Sequence, residues 1–125
     1  MKKECLVAYQ SQKAEIGELK SKLASWKNNA GMMLLNDQWG RPITQTERMQ
    51  EHDIQTERRY KERIRNLEEE CRQVEEFIES IPDSLIRRIF RMKFIDGHTQ
   101  QSIGRKIHMD ASSISRKIDN FLKNA

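Results

Sequence analysis

Three features of this sequence predict an all-α chain, built as a long coiled-coil-like helical hairpin followed by a C-terminal helix-turn-helix domain. The 125 residues are 36% apolar and 34% charged, too charged for one large spherical core when an average globular chain is nearer a quarter charged. Gly and Pro are scarce, at 5 and 2, whereas turn-rich sheet proteins need both. Apolar residues recur at spacings of three and four, the period of a helix face.

The first helix spans Met1 to about Asn28, where only Gly17 interrupts good helix formers. Tyr9, Ile16 and Leu23 recur every seven residues, as do Cys5, Gln12, Leu19 and Trp26. The offset between the two sets is the a/d spacing of a helix–helix seam. Breaks are expected at Asn28–Asn29–Ala30–Gly31 and at Trp39–Gly40–Arg41–Pro42, so a loop is drawn over about residues 29–44. The apolar patch Met32–Met33–Leu34–Leu35 inside it is read as a cover for the ends of the helices.

Thr44 with Glu47 has capping-box spacing and opens the second helix, with Thr46 as the fallback cap. Tyr60, Ile64, Leu67, Cys71, Val74, Ile78 and Ile81 then follow at alternating spacings of four and three, an uninterrupted heptad seam. Charged residues fill the intervening positions and read as a solvated face. Two such seams pair as an antiparallel hairpin, between chains, or both, and a homo-oligomer, favoured as a dimer, is expected. Residues 1–81 are therefore assigned to a helical oligomerisation region and 82–125 to a second module.

Charge separates these two parts. Residues 1–82 carry 14 Lys and Arg against 15 Asp and Glu, whereas residues 83–125 carry 9 against 4. The excess positive charge belongs to the last third, the footprint of a module that meets a polyanion.

In that module Pro82 begins a new helix with Ser80 or Asp83 as its cap. Leu85, Ile86, Ile89, Phe90 and Phe94 face inward, while Ser84, Arg87, Arg88 and Arg91 are expected outside. Asp96–Gly97 supplies the stop. Thr99 caps a short helix Gln100–Ile107, a turn follows at His108–Met109–Asp110, and Asp110 caps a last helix from Ala111 to about Lys123.

This is the grammar of a helix-turn-helix. Gly104 provides the small residue at the crossing, Ile107 and Met109 fill the wedge, and Ile114 and Ile118 lock the second helix. His108 stands where Gly is usual, so it must accept a positive φ or the turn must differ slightly. The exposed residues Ser112, Ser113, Arg116 and Asn120 are candidates to reach base edges. Arg105, Lys106, Lys117 and Lys123, with Arg87, Arg88 and Arg91, are candidates for phosphates. The partner expected on these grounds is double-stranded DNA.

Residues 85–99 (Leu-Ile-Arg-Arg-Ile-Phe-Arg-Met-Lys-Phe-Ile-Asp-Gly-His-Thr), Ser102-Ile103-Gly104 and Ser112-Ser113-Ile114-Ser115-Arg116-Lys117-Ile118 resemble sigma-70 region 4-like domains. More narrowly, the chain resembles the late-gene transcriptional regulators (RinA/ArpU-type) of phages and prophages of Gram-positive bacteria. About a third of the chain carries the match closely. The resemblance implies promoter-proximal DNA binding and contact with RNA polymerase. A small terminase subunit, which serves DNA packaging, and an adaptor that docks on an acidic protein are the rival readings.

Other classes find no support. No run approaches the ~18 apolar residues of a membrane span, and the first residues lead into no apolar signal-peptide core, which predicts a cytoplasmic product. Cys5 and Cys71 with His52, His98 and His108 show no metal-ligand spacing, so neither a metal nor a cofactor is expected. No phosphate loop, nucleophile elbow or His-Glu-x-x-His motif appears, and catalysis is not expected.

Overall fold

The computed structural model describes residues 1–32 and 51–125, with side chains over 1–26 and 54–125. The described elements are α1 (Lys3–Met32), α2 (Glu51–Glu79), α3 (Ser84–Phe90), a π-helical turn (Arg91–Ile95), α4 (Gln100–Ile107) and α5 (Ala111–Asn124). The fold is all-α: α1 and α2 form a long hairpin, and three short helices pack together after it. The expected Thr44 cap, its Thr46 fallback and the Trp39–Pro42 break lie outside the described residues.

One expected boundary moves. The loop drawn from residue 29 is overturned at its start, because α1 continues through Asn28–Gly31 to Met32. Asn and Gly disfavour a helix interior by up to about 1 kcal/mol each. Extending an established helix needs no new nucleus, so this bias does not stop it.

The chain divides into two compact units, Ala14–Leu67 and Met1–Lys13 with Glu68–Ala125. In the first, the seam buries Ile16, Leu19 and Ile64. Trp26 stacks on Tyr60 with ring centroids 5.5 Å apart, and Glu15 pairs with Arg63 at 3.8 Å.

In the second unit, Leu6 and Tyr9 of α1 are buried, as are Cys71, Val74 and Ile78 of α2. Leu6 takes the place expected of Cys5, which is exposed. The physical reason is that this end of α1 is not buried by the α2 seam alone. Leu6 lies about 100° further round the helix than Cys5 and is fully buried in the compact unit that the start of α1 shares with the short helices. Gln12, the polar seam member, is satisfied by Glu70 and Cys71.

The short helices share this unit and its core. Ile89, Phe90, Phe94, Ile103, Ile114 and Ile118 are buried. Phe90 lies between Phe94 and Phe121, at centroid distances of 5.5 and 5.3 Å, and Phe77 of α2 approaches Phe90 and Phe121 at 6.4 and 6.2 Å. Edge and tilted geometries dominate, as ring quadrupoles favour. Residues 82–125 therefore pack around a core that α1 and α2 complete.

Candidate nucleic-acid interface

The frame of the basic module begins at Asp83. Its carboxylate accepts from the Leu85 and Ile86 amides at 2.8 and 3.2 Å. This cap starts α3 at Ser84 and leaves Pro82, expected in the first turn, outside the helix before the cap. The following segment departs from the single α-helix expected through Phe94. Arg91–Ile95 widens into a π turn in which the Asp96 amide donates to the Arg91 carbonyl at 2.9 Å. Gly97 then adopts φ 76°, and the His98 amide closes on the Met92 carbonyl at 2.9 Å. The carbonyls left at the end of the turn are met from α1: the Gln10 amide donates to Phe94 O at 2.9 Å and to Ile95 O.

Thr99 caps α4 as its sequence position predicts, its hydroxyl accepting from the Ser102 amide at 3.1 Å. Gly104 is buried at the crossing of α4 with the following turn. A Cβ there would stand 2.3 Å from the Met109 carbonyl oxygen, closer than any side chain tolerates. The turn closes because the Met109 amide donates to Gly104 O at 2.9 Å, with His108 in the left-handed region at φ 59°, ψ 48°. Of the two alternatives for His108, the positive φ is realised. Asp110 has the extended backbone of a cap but its side chain makes no cap bond, which corrects its expected role. Ile114 and Ile118 are buried and fix the rotation of α5.

That rotation decides which side chains are offered outward. Ser112, Arg116 and Asn120 succeed one another at i, i+4 and i+8 and are exposed, with Lys123 one further turn along. Ser113 and Lys117 are half-buried on the edge of the same face. The Arg116 guanidinium donates to the Ser113 hydroxyl at 3.4 Å. Arg105 and Lys106 are exposed at the end of α4. Lys106 Nζ lies 3.2 Å from His98 Nε2. Arg105 lines an open concavity between α4 and α5 with Gln101, Gly104, His108, Met109, Asp110 and Ala111.

The basic face expected on α3 is largely spent on structure. Arg87 donates to the Ile81 carbonyl at 2.9 Å and Arg91 pairs with Glu79 at 2.7 Å. Arg87 thereby ties α3 to the linker that follows α2, and Arg91 ties the π-helical turn to the last residue of α2. Arg88 remains exposed. Two α1 residues reach this module without any local signal in the sequence. They are Gln10, at the π turn, and Lys3, whose ammonium lies 3.0 Å from the Asp119 carboxylate on α5.

Other chemistry is sparse. Burial pushes the Cys71 thiol up, away from a reactive thiolate. Among the described residues no three His, Cys, Asp or Glu side chains come together as a metal site. No described helix is long and apolar enough to cross a membrane.

No family model matches the chain, and no curated protein or solved structure matches it significantly.

Proposed function

We propose that the chain is a cytoplasmic, sequence-specific DNA-binding transcription regulator of phage or prophage type. In this reading α4 and α5 are the helix-turn-helix and α5 enters the major groove. The observation that carries the reading is the α4–α5 corner. A glycine that admits no Cβ and a left-handed turn residue hold α5 against α4. α5 then presents a row of short polar and basic side chains to solvent. A three-helix bundle with only a solvated basic surface has no need of so tight a corner.

The roles divide by reach. Ser112, Arg116 and Asn120, with Ser113, are the readers of base edges, Arg116 by a bidentate contact to guanine. Arg105, Lys106, Lys117 and Lys123 neutralise phosphates and set the register. Contact with RNA polymerase follows from the same resemblance. Ile16, Leu19, Ile64, Val74 and Ile78 of the seam are covered within one chain. Cys5 is exposed and Leu23, Trp26, Tyr60 and Leu67 are half-buried, and the reading keeps a homo-oligomer, favoured as a dimer.

Selection of bound duplexes from a randomised library, followed by competition against random DNA, tests the reading. Arg116→Ala is expected to lose ~1–3 kcal/mol of discrimination. With about five phosphates engaged, log affinity falls against log salt with a slope of roughly −4 to −5. Absence of duplex binding at low salt refutes the assignment.

A further inference from the structure

We propose that Lys3, at the start of α1, belongs to the DNA-binding surface and masks a carboxylate that would otherwise repel the duplex. The inference rests on the reading of α5 as the helix that meets DNA. Asp119 lies three residues after Arg116 and four before Lys123, so it shares the outward face with both. It is the one acidic residue within α5, and its side chain is 55% exposed. A bare carboxylate there would stand among the side chains that meet a polyanion, at distances within a Debye length of ~10 Å.

Lys3 answers that charge from the other end of the chain. Its ammonium is 3.0 Å from Asp119 Oδ1 and is itself 54% exposed, so it can neutralise the carboxylate and still face a phosphate. An exposed pair of this kind contributes little to stability. What it changes is the local charge of the outward face of α5. Without Lys3, Asp119 cancels one of the three cations Arg116, Lys117 and Lys123. With Lys3 in place, all three remain uncompensated.

A structural clamp and a charge mask predict opposite signs for one variant, which makes the proposal testable in the full chain. Binding of a random-sequence duplex of about 20 base pairs is measured by fluorescence anisotropy at about 0.1 M salt, where the Debye length is ~10 Å, with circular dichroism to show that each variant folds. Lys3→Ala is expected to weaken binding ~3- to 10-fold, whereas Asp119→Asn tightens it by a similar factor, and the double variant returns close to the parent. Lys61→Ala, which breaks a comparable exposed pair with Glu57, leaves affinity unchanged within about twofold, since screening makes the effect local. If Asp119→Asn weakens binding as Lys3→Ala does, the pair is a clamp and the proposal falls. It falls equally if Lys3→Ala binds like the parent or Lys61→Ala weakens binding as much. A parent chain that binds no duplex removes the underlying reading instead.

Discussion

Gly104 and Gly17 show how differently one residue type is used in this chain. A Cβ on Gly104 would meet the Met109 carbonyl oxygen at 2.3 Å and the Met109 carbonyl carbon at 3.5 Å. Both are backbone atoms of a turn already closed by its own hydrogen bond, so neither retreats without opening the α4–α5 corner. A Cβ on Gly17, in the middle of α1, meets nothing within 4 Å. Gly104→Ala is therefore expected to cost ~3 kcal/mol, the upper range for overpacking. Gly17→Ala is expected to gain ~1 kcal/mol from helix propensity. Denaturant midpoints moving the same way for both would contradict this account. Gly104 was legible in the sequence because the helix-turn-helix pattern demands a small residue there. His108 was legible only as a choice. Imidazole tolerates the left-handed region, and only the corner itself forces it there.

At the scale of elements, the heptad spacing from Tyr60 to Ile81 was the strongest signal in the sequence. Burial follows it at Ile64, Cys71, Val74, Ile78 and, past the end of α2, Ile81, with Tyr60 and Leu67 half-buried. Periodicity reports which face is apolar. It does not report a polar contact that crosses from another helix. Tyr9 and Glu75 form such a contact, the phenol donating to the carboxylate at 2.5 Å, with Lys13 3.3 Å from the same oxygen. Burial first, and then the nearby carboxylate, drive the Tyr9 phenol above its ordinary range. The hydrogen bond from Tyr9 and then Lys13 hold the Glu75 carboxyl below its own, against the opposing effect of burial. The two shifts bound a window. A depressed carboxyl contributes stability above its unfolded pKa of ~4.3 and loses it as pH falls through the lower folded value. A raised phenol contributes fully below its unfolded pKa of ~10 and loses it as pH rises toward the folded value. The contribution of the contact to stability is thus full between about pH 5 and 9 and declines on either side. Tyr9→Phe is expected to cost ~1 kcal/mol at neutral pH, discounted for the half-exposed carboxylate. Its cost should shrink below about pH 4. Thermal melts showing the same penalty at pH 3 and pH 7 would remove Glu75 from the explanation.

For the whole molecule, charge and packing draw different boundaries. The basic excess begins after residue 82, a break that composition makes visible. Packing joins Met1–Lys13 and Glu68–Ala125 into one compact unit, a join invisible to any local window because its contacts span most of the chain. Lys3 with Asp119, Gln10 with Phe94, and Tyr9 with Glu75 are all of this kind. Residues 82–125 alone would keep α3, α4 and α5 but lose Phe77 from the aromatic cluster and Gln10 from the π turn. They would also lose Leu6, Tyr9, Val74 and Ile78, all buried in the intact unit. A fragment of that size lies near the limit of ~40 residues below which a core seldom suffices, and each large apolar side chain removed from burial forfeits ~1.5–3 kcal/mol. The fragment is expected to show helical circular dichroism without a cooperative thermal transition. A chain in which a short Gly/Ser linker joins Lys13 to Glu68 keeps the complete unit and is expected to unfold cooperatively. Equal melting of the fragment and the intact chain would mean that the basic module is self-sufficient, and that α1 contributes no more than proximity.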